Sequence, residues 1–139
     1  GRLHGGEIWG IGGRSAAGGS RLSMVEIYNP ETDSWRASTA LPQGRGGHVA
    51  VSLGPNVHVF GGEVFDPSKV LSRHDIWDSA AQKWRAGTPP PKARHGGAAV
   101  VAGDEIMLIA GGSRPGTKTI YSVTGTAQIL TPEQSTPSE

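Results

Sequence analysis

Apolar residues come in short runs along this chain, and glycine pairs close the runs. Ile8, Trp9 and Ile11 lead into Gly12-Gly13, Val57–Phe60 into Gly61-Gly62, and Ile106–Ile109 into Gly111-Gly112. Runs this short, bounded by turn residues, predict strands rather than helices. Within Gly47–Leu53 a period of two puts Val49, Val51 and Leu53 on one face. Ser23–Tyr28 alternates and is β-prone, and Ser34–Arg36 around Trp35 predicts its returning strand. The turn between them, Asn29-Pro30-Glu31-Thr32-Asp33, has a mechanism: Pro presets φ at the second position of a type I turn, and Asn suits the first. The stretch 45–93 then predicts four strands: Gly47–Leu53, Val57–Phe60, His74–Trp77 and Lys83–Arg85. All are joined locally, which makes a four-stranded antiparallel meander.

These elements repeat. The diglycines are spaced by 49 and 50 residues, while Ile27-Tyr28 and Ile76-Trp77, Trp35 and Trp84, and Arg45 and Arg94 are each 49 apart. A shared period in this range is the mark of a stacked repeat architecture. The units fall at 1–44, expected to lack its first strand, 45–93, complete, and 94–132, expected to lack its fourth. In the third unit Ala98–Val101, Ile106–Ile109 and the stretch Ala127–Glu133 take the strand positions, but no Trp follows. The polar tail 133–139 is expected to be disordered. The chain opens on Gly1 and runs at once into strand-like sequence, so it is expected to lack its natural beginning.

Composition narrows the class. Glycine is abundant (22 residues) and charged residues make up only 18%, which suits short strands and tight turns and argues against a helical bundle. The net charge of +1 leaves no electrostatic footprint for nucleic acid. No apolar stretch approaches the roughly 18–20 residues of a membrane span. The chain has no cysteine, which excludes disulfides and thiolate chemistry and assigns no compartment.

A small sheet that is apolar on both faces must be sandwiched between copies of itself, and radial packing of such sheets makes a β-propeller. The diglycines fit crowded backbone near an axis, where φ above zero and close approach are needed. A phosphate-cradling loop fits them poorly, because no helix and no Lys-Ser/Thr follows. The recurring aromatics Tyr28, Trp35, Trp77 and Trp84 are expected to pack between units.

An apolar strand ending in Gly-Gly, then a spaced aromatic, a Trp, and an Arg opening the next unit resembles the kelch repeat. The resemblance implies an all-β fold, a partial kelch-type β-propeller of about three four-stranded antiparallel blades, the first and last incomplete. Gly111-Gly112-Ser113-Arg114-Pro115-Gly116 is similar to a segment in the last blade of bacterial kelch-type proteins. That likeness implies the C-terminal portion of a larger propeller, closed in the family by a strand from the far end of the chain. The third unit departs from the pattern, having no Tyr or Trp in its second hairpin. WD40 is a rival, since Trp77-Asp78 and Gly47-His48 imitate its signatures, but the dipeptide does not recur and the period is too long.

Five histidines are present, His4, His48, His58, His74 and His95. None shows tight metal-ligand spacing, so they are expected to be solvated loop or strand-end residues, with no metal and no cofactor. No motif of an activated nucleophile frames any Ser. The arginines carry more. Arg45 and Arg94 open equivalent strands, and Arg14, Arg73 and Arg114 follow the diglycines. By the resemblance these five line the loop face around the central channel, where a guanidinium holds carboxylates in bidentate fashion. The other role open to them is structural, tying adjacent blades through backbone carbonyls. The expected function is a non-catalytic binding or scaffold module recognising a protein or glycan, completed by further blades of a longer chain. The alternative is a remnant of a kelch-fold enzyme, copper radical oxidase-like or sialic-acid epimerase-like, with its active residues in other blades.

Overall fold

The computed structural model describes residues 1–15 and 21–132. The tail 133–139 and most of the loop after Arg14 lie outside the described residues. The first sheet comprises β1 (Arg2–His4), β2 (Glu7–Arg14), β3 (Arg21–Asn29) and β4 (Ser34–Ser38), in that spatial order and antiparallel throughout. It therefore has the first strand that the sequence was expected to lack. Gly5 and Gly6 both have positive φ (57° and 79°) and make the two-residue hairpin turn that pairs Arg2–His4 with Glu7–Trp9. Three residues are too few to show alternation, which is why periodicity misses β1.

The second sheet holds β5 (Val49–Leu53) and β6 (Asn56–Phe60). A small separate hairpin follows, β7 (Glu63–Val64) with β8 (Lys69–Val70), in the stretch between the predicted strands Val57–Phe60 and His74–Trp77. The chain then returns to the second sheet with β9 (His74–Asp78) and β10 (Lys83–Ala86), giving the order β10-β9-β6-β5. The third sheet has β11 (Ala98–Ala102), β12 (Glu105–Ile109) and β13 (Ala127–Leu130), in that order. Between β12 and β13 lies a short 3-10 helix, Gly116–Tyr121. Among the described residues the third sheet has no fourth strand.

The three sheets stack through two apolar cores. Trp9, Ile11, Val25 and Ile27 of the first sheet meet Val57, Val59 and Trp77 of the second. Val51 and Phe60 on the other face of the second sheet meet Ile106 and Leu108 of the third, with Leu130 packed against them. Cross-strand register makes the pattern explicit. In the second sheet Val57, Trp77 and Trp84 lie opposite one another in one row, turned toward the first sheet. The equivalent row of the third sheet, Ile106 and Leu130, is turned toward the second. In the first sheet that row is Leu3, Ile8, Tyr28 and Trp35, and nothing described covers it. Leu3 and Trp35 are 62% and 61% exposed there, whereas Trp77 is 4% exposed. At the far end Val100, Met107 and Ile129 form a matching uncovered row on the third sheet.

Candidate functional site

The diglycines place the loops. Gly12, Gly13, Gly61, Gly62 and Gly111 all have positive φ, between 53° and 114°. A Cβ on Gly61 would fall on the carbonyl oxygen of Arg94, and one on Gly111 on that of His95. The same close approach makes a bond: Gly13 N–H donates to the Arg45 carbonyl, and Gly62 N–H to the Arg94 carbonyl, both at 2.9 Å. Thus the glycine that ends one sheet's second strand holds the arginine that opens the next sheet. This contact is the physical reason why diglycine and arginine keep one period.

The arginine side chains are held from within. Arg45 has no accessible surface; its Nη2 lies 2.8 Å from Asp75 Oδ2, and its Nη1 donates to the Gln43 carbonyl at 3.0 Å. Asp75, also fully buried, accepts a second guanidinium from Arg73 through two bonds of 2.7 and 2.8 Å. Burial pushes the Arg45 guanidinium below its ordinary value and Asp75 opposes that, whereas the hydrogen bonds to Asp75 hold Arg73 above its own. Arg94 donates to the carbonyls of Ala110 (2.8 Å) and Thr126 (3.1 Å) and to the Thr126 hydroxyl. Arg45 and Arg94 accordingly tie neighbouring segments together and present no charge to solvent.

Glu63 was not singled out in the sequence, yet it gathers all three units. It follows the second diglycine, and its side chain is 2% exposed. Oε1 accepts from the Arg14 guanidinium of the first unit and lies 3.1 Å from His95 Nδ1; Oε2 accepts from Gly116 N–H at 2.7 Å. Arg14 also sits over the Phe65 ring, 4.9 Å from its centroid. The signal was available, since Arg14 and Glu63 occupy equivalent positions in successive repeats and carry opposite charge. Thr119 Oγ1 lies 2.9 Å from His95 Nε2, which completes a carboxylate–imidazole–hydroxyl series. The hydroxyl also lies 2.6 Å from the Gly116 carbonyl, inside its own 3-10 helix, and the series acts as a latch on that helix. What remains turned outward after the diglycines is Arg14, Arg73 and Arg114. The side chains of Arg14 and Arg73 are 45% and 36% exposed, and Arg114 is exposed.

The histidines correct the expectation of solvated residues: His58, His74 and His95 are buried, at 2%, 3% and 7% exposure. His58 Nδ1 lies 2.9 Å from His74 Nε2, His74 Nδ1 donates to the Thr88 carbonyl at 2.9 Å, and Phe60 stacks on His74 with centroids 4.0 Å apart. Burial first, then neighbouring positive groups, lowers both imidazoles to about 4, although hydrogen bonding to Thr88 and the charge of Asp75 work the other way on His74. His48 falls to about 4 for the same first cause, with Arg45 adding to it. Among the described residues no group of three or more potential ligands could hold a metal ion, and no helix is long and apolar enough to cross a membrane.

Stacked four-stranded antiparallel sheets with one period and inter-sheet aromatic cores define a propeller-blade class of repeat. Residues 3–42, spanning most of β1 through β4, match the family model for the Kelch motif. The chain is also similar to Kelch-like protein 15 of Danio rerio, 33% identical over 64 residues, and to Kelch-like protein 15 of Homo sapiens, 45% identical over 38. Those stretches are 42% and 27% of this chain and only 11% and 6% of the relatives' lengths. The chain thus carries a Kelch motif over residues 3–42 and spans only a small part of the length of the curated relatives it matches.

Proposed function

We propose that this chain forms part of a kelch propeller and acts as a non-catalytic binding module. Its loop face takes acidic groups of a protein or glycan. The observation that carries this reading is the arrangement around Glu63: its bonds lock the loops of three units together, and Arg14, Arg73 and Arg114, after the diglycines, keep solvent-exposed surface. A guanidinium fixed by a buried carboxylate loses less side-chain entropy when it grips a second anion. Arg45 and Arg94 belong to the scaffold in this reading, since their guanidiniums are enclosed. The uncovered rows on the first and third sheets favour further blades on either side, within a longer propeller. The Gly111-Gly112 to Pro115-Gly116 segment favours a bacterial-type last blade.

The test is a peptide and glycan array read alongside copper titration with an oxidase assay. Retention of acidic ligands, reduced at least tenfold by Arg114→Ala without a change in melting temperature, is the expected result. Stoichiometric copper binding with turnover would instead establish the enzyme-remnant alternative.

A further inference from the structure

At the strand ends away from the diglycines, the first and second sheets part. The gap is a cleft of about 620 Å3, within the range of about 300–1,000 Å3 typical of small-ligand sites. Its floor is apolar and comes from both sheets: Trp9 and Ile27 on one side, Trp77 on the other. Its only charged pair is internally balanced, since Arg36 Nη1 and Nη2 donate to the two carboxylate oxygens of Glu7 at 2.5 and 2.7 Å. The remaining groups are neutral. Gln82 gives its amide nitrogen to the Ser79 carbonyl at 2.7 Å, and its amide oxygen stays unengaged among the described residues. The Ser38 hydroxyl, on the β4 wall, is likewise unengaged. Trp9 is 5% exposed, and its Nε1 is buried with no hydrogen-bond partner among the described residues. The repeat explains that orphan. The equivalent residue of the second sheet is His58, which bonds to His74, but where the second sheet has His74 the first has Val25, which offers no side-chain acceptor. A buried N–H without a partner is rare and costly.

We infer that this cleft binds a neutral saccharide of one or two rings. The balance of Glu7 against Arg36 gives no advantage to a ligand of either charge. The unengaged groups are a donor at Trp9, an acceptor at Gln82 and a hydroxyl at Ser38, which takes either role. A sugar hydroxyl donates and accepts at once and so answers all three. The C–H face of the ring lies on the apolar floor, and a ring hydroxyl brought in through the cleft supplies the acceptor that Trp9 lacks. The cleft opens between the β1–β2 and β9–β10 turns, at the opposite strand ends from Arg14, Arg73 and Arg114. It therefore stands or falls independently of the acidic-ligand reading.

The probes are glucose, galactose, mannose, maltose and lactose, each titrated into the isotope-labelled full chain. The readout is the indole N–H signal of each tryptophan by NMR, assigned through Trp→Phe variants. At least one sugar should shift the Trp9 signal saturably, while the Trp35 signal, from the far face of the first sheet, stays in place. Gln82→Ala, at an exposed turn, should weaken that binding at least fivefold with the melting temperature unchanged. Filling the cleft with Ser38→Phe should weaken it by a similar factor or more. A Trp9 signal that no sugar moves, or equal affinity in Gln82→Ala, overturns the proposal whether or not the Ser38→Phe chain folds. A glycine–serine tripeptide that shifts the Trp9 signal with the affinity of the best sugar would assign the cleft to peptide amides and overturn it as well.

Discussion

Asp75 holds two guanidiniums at once, and one of them, Arg45, has no contact with water. Removing one partner of a buried ion pair leaves the other charged and unsolvated, at a cost of about 3–5 kcal/mol. Asp75→Asn should therefore lower the urea midpoint sharply, and a midpoint unmoved would mean that Arg45 reaches solvent. His58 and His74 set a pH dependence of definite sign. Both are lowered from 6.5 to about 4 in the fold, so the unfolded chain binds more protons between these values. Stability is fully present above about pH 6.5 and is lost as pH falls toward 4, at up to about 1.4 kcal/mol per pH unit for each ring. Melting curves from pH 7 to 4.5 should show that decline, and His58→Phe should make it shallower, since His74 and His48 still contribute. Little of this was legible in the sequence. The periodic Arg45 and Arg94 were found because repetition marks them, but their partners were not. Asp75 is one of two acids in β9, and the repeat offers only an exposed Glu26 at the equivalent position. His58 and His74 look like polar interruptions until cross-strand register brings them together.

Strands were the most readable scale, because alternation and turn residues act locally. Twelve-residue spacing is not needed to see Ala98–Ala102 answer Glu105–Ile109 across Gly103-Asp104, only the apolar runs and the glycine. The elements missed were those too short to alternate: β1, and the β7–β8 hairpin, which is two residues on each side. Glycine tests the same scale. Gly54 has φ 55° with open space around the missing Cβ, so Gly54→Ala should cost about 1–2 kcal/mol from the left-handed backbone alone. Gly61 has φ 62° and also faces the Arg94 carbonyl, so Gly61→Ala should cost clearly more. Denaturant titration of the pair measures the difference; equal costs would show that the loop yields at Arg94.

At the scale of the whole molecule, equivalent residues have unequal surroundings. Trp35 and Trp84 hold the same place in their repeats, but Trp35 is 61% exposed while Trp84 is packed between sheets and bonded to Thr39. Trp84→Ala should cost about 3 kcal/mol, and Trp35→Ala less than about 0.5 kcal/mol. The uncovered rows at both ends of the stack predict concentration-dependent association of the isolated chain. Charged replacements at Trp35 and Val100 should reduce it in sedimentation velocity, and a chain that is monomeric at every concentration would contradict the prediction. The bond from each of the first two diglycines to the next unit's arginine has one more consequence. Connections after the second strands run 15–20, 61–73 and 110–126 and so differ widely in length, yet Gly13 and Gly62 grip their arginines identically. The clamp bypasses the loop. Loop length and loop sequence are thereby free to diverge while the spacing of the sheets is held, so new recognition can be grafted onto this face without renegotiating the scaffold beneath it.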